Sequence, residues 1–260
     1  MSQLNPEAEW FGFTKIKSEE KAAMVGRVFT SVAVNYDLMN DLMSCGLHRL
    51  WKNAFVARMR IRSGMDILDI AGGTGDIALR MHKTASKGKR PIKGKDKTRI
   101  TVCDINPEMM KYGRAKALNK GIVDGIDWIA GDAEKLPFPS RRFDLCSIAF
   151  GLRNVTRIDD ALKEAARILR PGGKFFCLEF SSGVTPILKP VYETYCKSAM
   201  PLLGEFIADD KDAYQYLAES IIRFPPQKEL AERMKTAGFD RVKWTNLAGG
   251  IAVIHEGTVL

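Results

Sequence analysis

Residues 65–78 (MDILDIAGGTGDIA) constrain the fold more than any other stretch of the chain. Ile67, Leu68 and Ile70 form an apolar run of the length of a buried parallel strand. Asp69 stands near its carboxyl end, and Gly72, Gly73 and Gly75 let the backbone turn sharply into a helix beginning around Asp76. Strand, glycine turn and helix in that order make a site for a nucleotide-like ligand.

Gly73-Thr74-Gly75-Asp76-Ile77-Ala78 also satisfies a loose G-x-G-x-x-A dinucleotide fingerprint. A dinucleotide loop seats a pyrophosphate on a helix N-terminus, and an acid just before the glycines repels that anion. Asp69 and Asp76 bracket this loop. They suit a cationic ligand, and S-adenosyl-L-methionine carries a sulfonium and an ammonium and no phosphate. The competing reading is a glycine-rich turn that only connects a strand to a helix.

At 260 residues the chain is long enough for one α/β domain with a full core and short for two. Cys45, Cys103, Cys146, Cys177 and Cys196 are odd in number, lack C-x-x-C spacing and lie mostly in apolar contexts. They read as reduced core residues, not as zinc ligands or a disulfide framework. His48, His82 and His255 are not spaced with them, so no metal site is expected. No run reaches the length of a membrane span, and MSQLNPEAEW carries acids before any base, unlike a secretory or mitochondrial presequence. The chain reads as soluble, either made where it works or lacking a targeting segment in this form.

A net charge of +9 raises nucleic acid as a partner, but its location argues otherwise. Residues 80–99 hold nine Lys/Arg against the single Asp96, leaving the remainder near balance. Rich in lysine and glycine, without interleaved aromatics, this segment reads as a solvated loop, with an anionic-membrane or partner contact as the alternative.

Residues 1–20 read as loosely ordered and 21–34 as helical. Tyr36, Asp37, Asn40, Asp41, Ser44, His48 and Trp51 then cluster among apolar residues, either as a cap over the ligand site or as a hydrogen-bonded helical layer; 51–59 continues as an amphipathic helix. A second strand, Ile100 to Cys103, ends in Asp104, placed to accept from both ribose hydroxyls of a nucleoside. A helix over 108–120 and a third strand over 126–129 lead to Gly131-Asp132-Ala133, where an adenine would lie and Asp132 can accept from its amine. Three acids at successive strand ends form a stronger signal than any one alone.

The fourth strand, 143–150, delivers Gly151-Leu152-Arg153-Asn154 to the carboxyl edge of the sheet, where ligands of open α/β folds bind. A helix over 159–169 is expected to stop at Pro171-Gly172-Gly173, and a fifth strand over 174–180 exits at Glu179 and Ser181. Residues 186–203 place Leu188, Val191, Tyr192, Tyr195, Ala199 and Leu202 on one helical face, either core packing or an apolar lid. Helices over 212–223 and 227–237, then strands over 241–247 and 251–255 joined through Gly249-Gly250, complete a seven-stranded sheet with an antiparallel C-terminal hairpin.

This pattern resembles the class I S-adenosylmethionine-dependent methyltransferases, a Rossmann-like α/β fold. Two stretches narrow it. Tyr36-Asp37-Leu38-Met39-Asn40 with Ser44, His48 and Trp51, and Arg167-Ile168-Leu169-Arg170-Pro171-Gly172-Gly173-Lys174 running on to Glu179 and Ser181, are similar to the two signatures of the ubiquinone/menaquinone biosynthesis C-methyltransferases. The resemblance covers nearly all of residues 11–260 and implies an N-terminal helical cap over 1–60 on a methyltransferase domain over 61–260, one structural unit overall. It implies S-adenosyl-L-methionine as cofactor and methylation of a ring carbon on a polyprenylated quinol: 2-methoxy-6-polyprenyl-1,4-benzoquinol for ubiquinone, or demethylmenaquinol for menaquinone.

Asp69, Gly72, Gly73, Thr74 and Gly75 form the expected cofactor loop. Matching the family's positions puts Thr74, Asp104, Asp132 and Ala133 on the nucleoside and methionine, with a further contact at Ala149, where many relatives carry serine and only backbone remains here to bond. Ala71 replaces a glycine of the general methyltransferase loop, as is usual in this subfamily. Phe11-Gly12-Phe13 resembles alphaproteobacterial and mitochondrial members and favours ubiquinone. Also implied are peripheral contact with the inner membrane (the matrix side in mitochondria, the cytoplasmic face in bacteria), a homodimer, and other quinone-biosynthesis enzymes as partners.

Carbon methylation needs an electron-rich ring carbon in line with the methyl and the sulfur, so the site must hold a quinol. Phenolic protons have a pKa of about 10, and handling that proton is the catalytic problem. Arg153, with a pKa above about 12, is a poor general base and is assigned phenolate stabilisation, with Asn154 and Tyr36 as positioning partners. The bland alternative for Arg153 is a salt bridge to a helix-end acid. A nucleic-acid methyltransferase would show an N-P-P-Y-type loop or a nucleophilic cysteine at the fourth strand exit; neither occurs there, and no nucleic acid is expected. A non-catalytic scaffold is the remaining rival, opposed by the intact loop and its three acids.

Overall fold

The computed structural model describes residues 8–32, 41, 44, 46–86, 97–185 and 211–260. Tyr36, residues 87–96 of the basic segment and the 186–203 segment lie outside the described residues.

The first element corrects the expectation of loose order: β1 (Ala8–Phe11) and β2 (Thr14–Lys17) form an antiparallel hairpin. Its anchor lies far along the chain. The Phe11 ring stacks on Tyr216 at 4.1 Å, and the Phe13 amide donates to Glu219 Oε2 at 2.8 Å. After it come α1 (Ser18–Val32), α2 (His48–Met59), β3 (Asp66–Ile70), α3 (Asp76–Ser86), β4 (Arg99–Asp104), α4 (Pro107–Asn119), β5 (Ile126–Ala130) and β6 (Phe143–Ala149). The chain continues with α5 (Ile158–Ile168), β7 (Leu169–Phe180), α6 (Lys211–Arg223), α7 (Gln227–Thr236), β8 (Asp240–Leu247) and β9 (Ala252–Thr258).

The sheet has seven strands in the order β5-β4-β3-β6-β7-β9-β8. Its first five are parallel, and β9 pairs antiparallel with both β7 and β8. Strand alternation sorts side chains onto two faces. Ile67, Leu145, Phe176 and Leu178 join Phe55, Val56, Ile77 and Met81 in one core, while Leu68, Ile70, Ile148 and Phe175 join Leu162, Ile168, Leu230 and Met234 in the other. Fully burying each such side chain contributes about 1.5–3 kcal/mol. Cys103, Cys146 and Cys177 are buried free thiols, as expected for core cysteines.

Two further expectations change. The basic segment is not loop from Arg80: α3 runs to Ser86 because Met81 still packs into the core while Lys83 and Thr84 face solvent. Nor does the chain pause at Pro171-Gly172-Gly173. β7 begins at Leu169, which pairs with Phe143, and a register shift before the Leu145–Lys174 pair absorbs the intervening residues. Arg170 holds that bulge by donating to Asp144 Oδ1 at 2.7 Å and Asp66 Oδ2 at 3.1 Å. Among the described residues, no helix is long and apolar enough to cross a membrane.

Candidate active site

The chain leaves β3 for β4 on one side and returns to β6 on the other, so the carboxyl ends of β3 and β6 meet at the topological switch point. The loops that follow them touch there: a Cβ on Gly151 would lie 2.8 Å from that of Ala71. Each loop opens on a non-glycine residue in the left-handed region, Ala71 at φ 48 and Phe150 at φ 55. Such backbone costs about 1–3 kcal/mol per residue, and two instances at one crevice mark a shape imposed by the surroundings. Gly75 turns at φ 71 with Trp128 directly behind it, where a Cβ would come within 2.4 Å of the indole.

Asp69 lies on the sheet face that carries Ile67, and its register partner on β6 is Ser147. The Ser147 hydroxyl donates to Asp69 Oδ1 at 2.7 Å, whereas Oδ2 is buried without a hydrogen-bond partner. Burial lifts this carboxyl to about 7, the Ser147 bond opposing and the nearby Asp104 and Asp76 charges reinforcing. Asp104 is also buried. Its Oδ2 accepts from the Gly73 amide at 2.7 Å and its Oδ1 from the Asn106 amide at 2.8 Å, bonds that oppose the upward pull of burial. These bonds set the glycine loop and the start of α4, and a carboxylate retains further lone pairs for a ligand. The Gly131 amide donates to the Asp104 carbonyl at 3.0 Å, which brings the Asp132-Ala133 turn alongside; Asp132 itself is exposed and accepts from the Glu134 amide at 2.9 Å.

Lys52, Asp69, Gly72, Thr74, Asp76 and Ala149 line one small cavity at the crevice. Lys52 belongs to no motif of the sequence. Its Nζ sits 2.8 Å from Asp76 Oδ2. Burial would raise Asp76, but the Lys52 charge and hydrogen bond, with Arg80 and Lys116 behind them, hold it at about 2. The described members of the Tyr36-to-Trp51 cluster form a hydrogen-bonded layer: Ser44 Oγ lies 3.0 Å from His48 Nδ1, and Arg49 donates to Asp41. Burial and then the Lys52 charge keep His48 down at about 4, hence neutral.

Arg153 occupies a 3₁₀ turn, Leu152–Asn154, at the exit of β6. Its Nη1 donates to Glu179 Oε2 at 2.8 Å and to the Phe150 carbonyl at 2.7 Å, while its buried Nε has no hydrogen-bond partner. A salt bridge is therefore present, with an acid of β7 and not of a helix end. Burial raises the Glu179 carboxyl, and Arg153 opposes this. Asn154 donates to the Phe150 carbonyl at 3.4 Å and accepts from the Tyr216 hydroxyl at 3.1 Å. No sequence motif marks Tyr216 either. Arg153, Val155, Tyr216 and Ser220 border a cavity of about 500 Å³.

An orphaned buried carboxylate oxygen, a glycine cradle and a cation in one crevice fit the amino-acid end of S-adenosylmethionine. Thr74, Asp104, Asp132, Ala133 and Ala149 are distributed along the same strand ends. Sheet order and loop together define a class I methyltransferase that uses S-adenosyl-L-methionine.

The sequence model of the ubiE/COQ5 methyltransferase family matches residues 14–259, and the chain belongs to that family. It is 46% identical over 265 residues to a protein of Oryza sativa subsp. japonica named 2-methoxy-6-polyprenyl-1,4-benzoquinol methylase, mitochondrial, covering 99% of this chain and 90% of that one. A Homo sapiens protein of the same name is 45% identical, covering 99% and 86%. The ubiquinone/menaquinone biosynthesis C-methyltransferase UbiE of Bartonella tribocorum is 48% identical, covering 95% and 92%. Among solved structures, a Thermotoga maritima S-adenosylmethionine-dependent methyltransferase superimposes with TM-score 0.61 at 19% identity, covering 90% of this chain and 99% of that one. A Haloferax volcanii putative methyltransferase complex with Trm112 gives 0.62 at 18%, covering 90% and 97%. These structural likenesses establish the fold.

Proposed function

We propose that this methyltransferase methylates a ring carbon of 2-methoxy-6-polyprenyl-1,4-benzoquinol in ubiquinone biosynthesis. The observation that carries the reading is near-full-length identity to relatives bearing that name. When bound, the cofactor supplies an electrophilic methyl group. The chain's own task is to present the ring carbon in line with it and to manage a phenolic proton of pKa about 10.

Arg153 is assigned the phenolate. Its guanidinium is aligned by Glu179 and the Phe150 carbonyl, and its Nε–H is a donor without a partner. Asn154, braced by Tyr216, and Tyr36 position the ring. The adjoining cavity of about 500 Å³ is large enough for a substituted quinol head. The polyprenyl tail holds the substrate in a bilayer, so the enzyme works as a peripheral protein of the membrane that carries it.

Mass spectrometry of reduced quinone analogues incubated with enzyme and methyl-labelled cofactor tests the reading. A labelled ring methyl on the methoxy-benzoquinol is expected. Label on demethylmenaquinol alone would move the assignment to the menaquinone route, and label on neither would refute quinol methylation.

A further inference from the structure

Helix α2 turns His48, Trp51, Lys52, Phe55, Val56 and Met59 inward, the stripe of an amphipathic helix. Lysine is almost never buried there unless paired. The Lys52 side chain is 4% exposed, with Nζ 2.8 Å from Asp76 Oδ2 and 6.0 Å from the centre of the Phe150 ring. An ion pair with Asp76 is by itself a weak reason to bury a lysine, because the desolvation of both charges offsets their attraction.

Two further observations supply a stronger reason. Lys52 borders the cavity that Asp69, Gly72 and Thr74 also line. Asp69 Oδ2, buried at the same cavity, has no hydrogen-bond partner. The cavity thus offers an ammonium with donors beyond the one Asp76 takes on the helix side, and an unmatched acceptor on the sheet side. The amino-acid end of the cofactor carries the complementary pair, a carboxylate and an ammonium on one carbon.

We propose that Lys52 binds the α-carboxylate of the methionine moiety of S-adenosylmethionine, across the cavity from Asp69, which accepts from the α-ammonium. Asp76 holds the lysine over the cavity while the ligand is away. The helix preceding β3 is then part of the cofactor site and not only a cover, already tied to the glycine loop through the Lys52–Asp76 pair. The inference rests on the cofactor and not on the identity of the methyl acceptor.

Calorimetric binding of three probes to the full chain tests it: S-adenosylhomocysteine, decarboxylated S-adenosylmethionine, which keeps the ammonium, and methylthioadenosine, which lacks both groups. Lys52→Met should weaken S-adenosylhomocysteine about 10- to 100-fold, the loss of a charge-assisted hydrogen bond. The other two probes should change less than about twofold, since neither carries a carboxylate for Lys52 to bind. Unchanged binding of S-adenosylhomocysteine, or an equal loss for all three probes, would overturn the proposal. Lys52→Gln carries the same comparison if the methionine variant does not fold. Wild-type protein that bound none of the three would overturn the cofactor assignment and this inference with it.

Discussion

Arg153 and Glu179 face each other at 2.8 Å with side chains 1% and 2% exposed, an ion pair sealed between the exit of β6 and the end of β7. Removing one partner strands the other charge away from water, which costs about 3–5 kcal/mol. Arg153→Met and Glu179→Leu should each lower stability by about that much in denaturant titrations, and the double variant by clearly less than either. Turnover then has to be compared between variants that remain folded. Arg153→Lys, which keeps a charge but loses the planar donor set, should lose turnover while Glu179→Gln retains most of it. Equal losses would assign the pair to bracing alone.

Phe11 acts on the site through two contacts. Its ring stacks on Tyr216, and the Tyr216 hydroxyl holds Asn154. Aromatic pairing of this kind contributes about 0.5–1.5 kcal/mol beyond the area it buries. Phe11→Ala should therefore lower kcat severalfold with cofactor affinity unchanged, and Phe11→Tyr should restore it. Steady-state kinetics beside a binding titration reads both. A parallel fall in cofactor affinity would place the effect at the glycine loop and not at Asn154.

Gly113 on α4 packs directly against the cofactor loop. A Cβ there would lie 2.7 Å from Thr74 carbonyl carbon and oxygen and equally close to the Trp128 ring. Alanine gains about 1 kcal/mol in helix propensity, but overpacking costs about 1–3 kcal/mol. Gly113→Ala should therefore leave stability within about 2 kcal/mol of wild type, yet weaken S-adenosylhomocysteine at least severalfold by displacing Thr74. Thermal unfolding with and without that ligand separates the two effects. Unchanged affinity would show that Trp128 yields and Thr74 does not.

What was legible in the sequence follows from the range of the interactions. β3, β4 and β6 are short apolar runs buried on both faces, each followed by acids or turn residues, so their type and the switch point could be read from local pattern. The 8–17 hairpin could not, because Phe11 finds Tyr216 and the Phe13 amide finds Glu219 only in three dimensions. Glu179 and Arg153 both lie in stretches that the sequence pattern marks, but their pairing depends on adjacent strand exits. Lys52 did leave a signal: it occupies the inward stripe of α2 with Trp51, Phe55 and Met59, where an unexplained lysine marks a buried partner or a ligand. Asp69 is legible as an acid near a strand end, whereas its orphaned oxygen follows only from the register with Ser147.

Asp69 should also set the pH dependence of cofactor binding. Burial, with Asp104 and Asp76 nearby and the Ser147 hydrogen bond opposing, moves its carboxyl from 3.8 to about 7. Between those values the ligand-free folded protein holds a proton that the unfolded chain has released, so this group's contribution to stability declines as pH rises through that window. An ammonium beside Oδ2 favours the ionised form. Binding below about pH 7 should therefore release a proton, and affinity for S-adenosylhomocysteine should climb toward tenfold per pH unit before levelling above that point. Calorimetry in buffers of different ionisation enthalpy counts the proton directly. Asp69→Asn should bind weakly without the slope, and Ser147→Ala, which removes the hydroxyl bond to Oδ1, should move the midpoint upward. A flat wild-type profile with no proton release would mean that Asp69 is already ionised before the ligand arrives, or that the ammonium is held elsewhere.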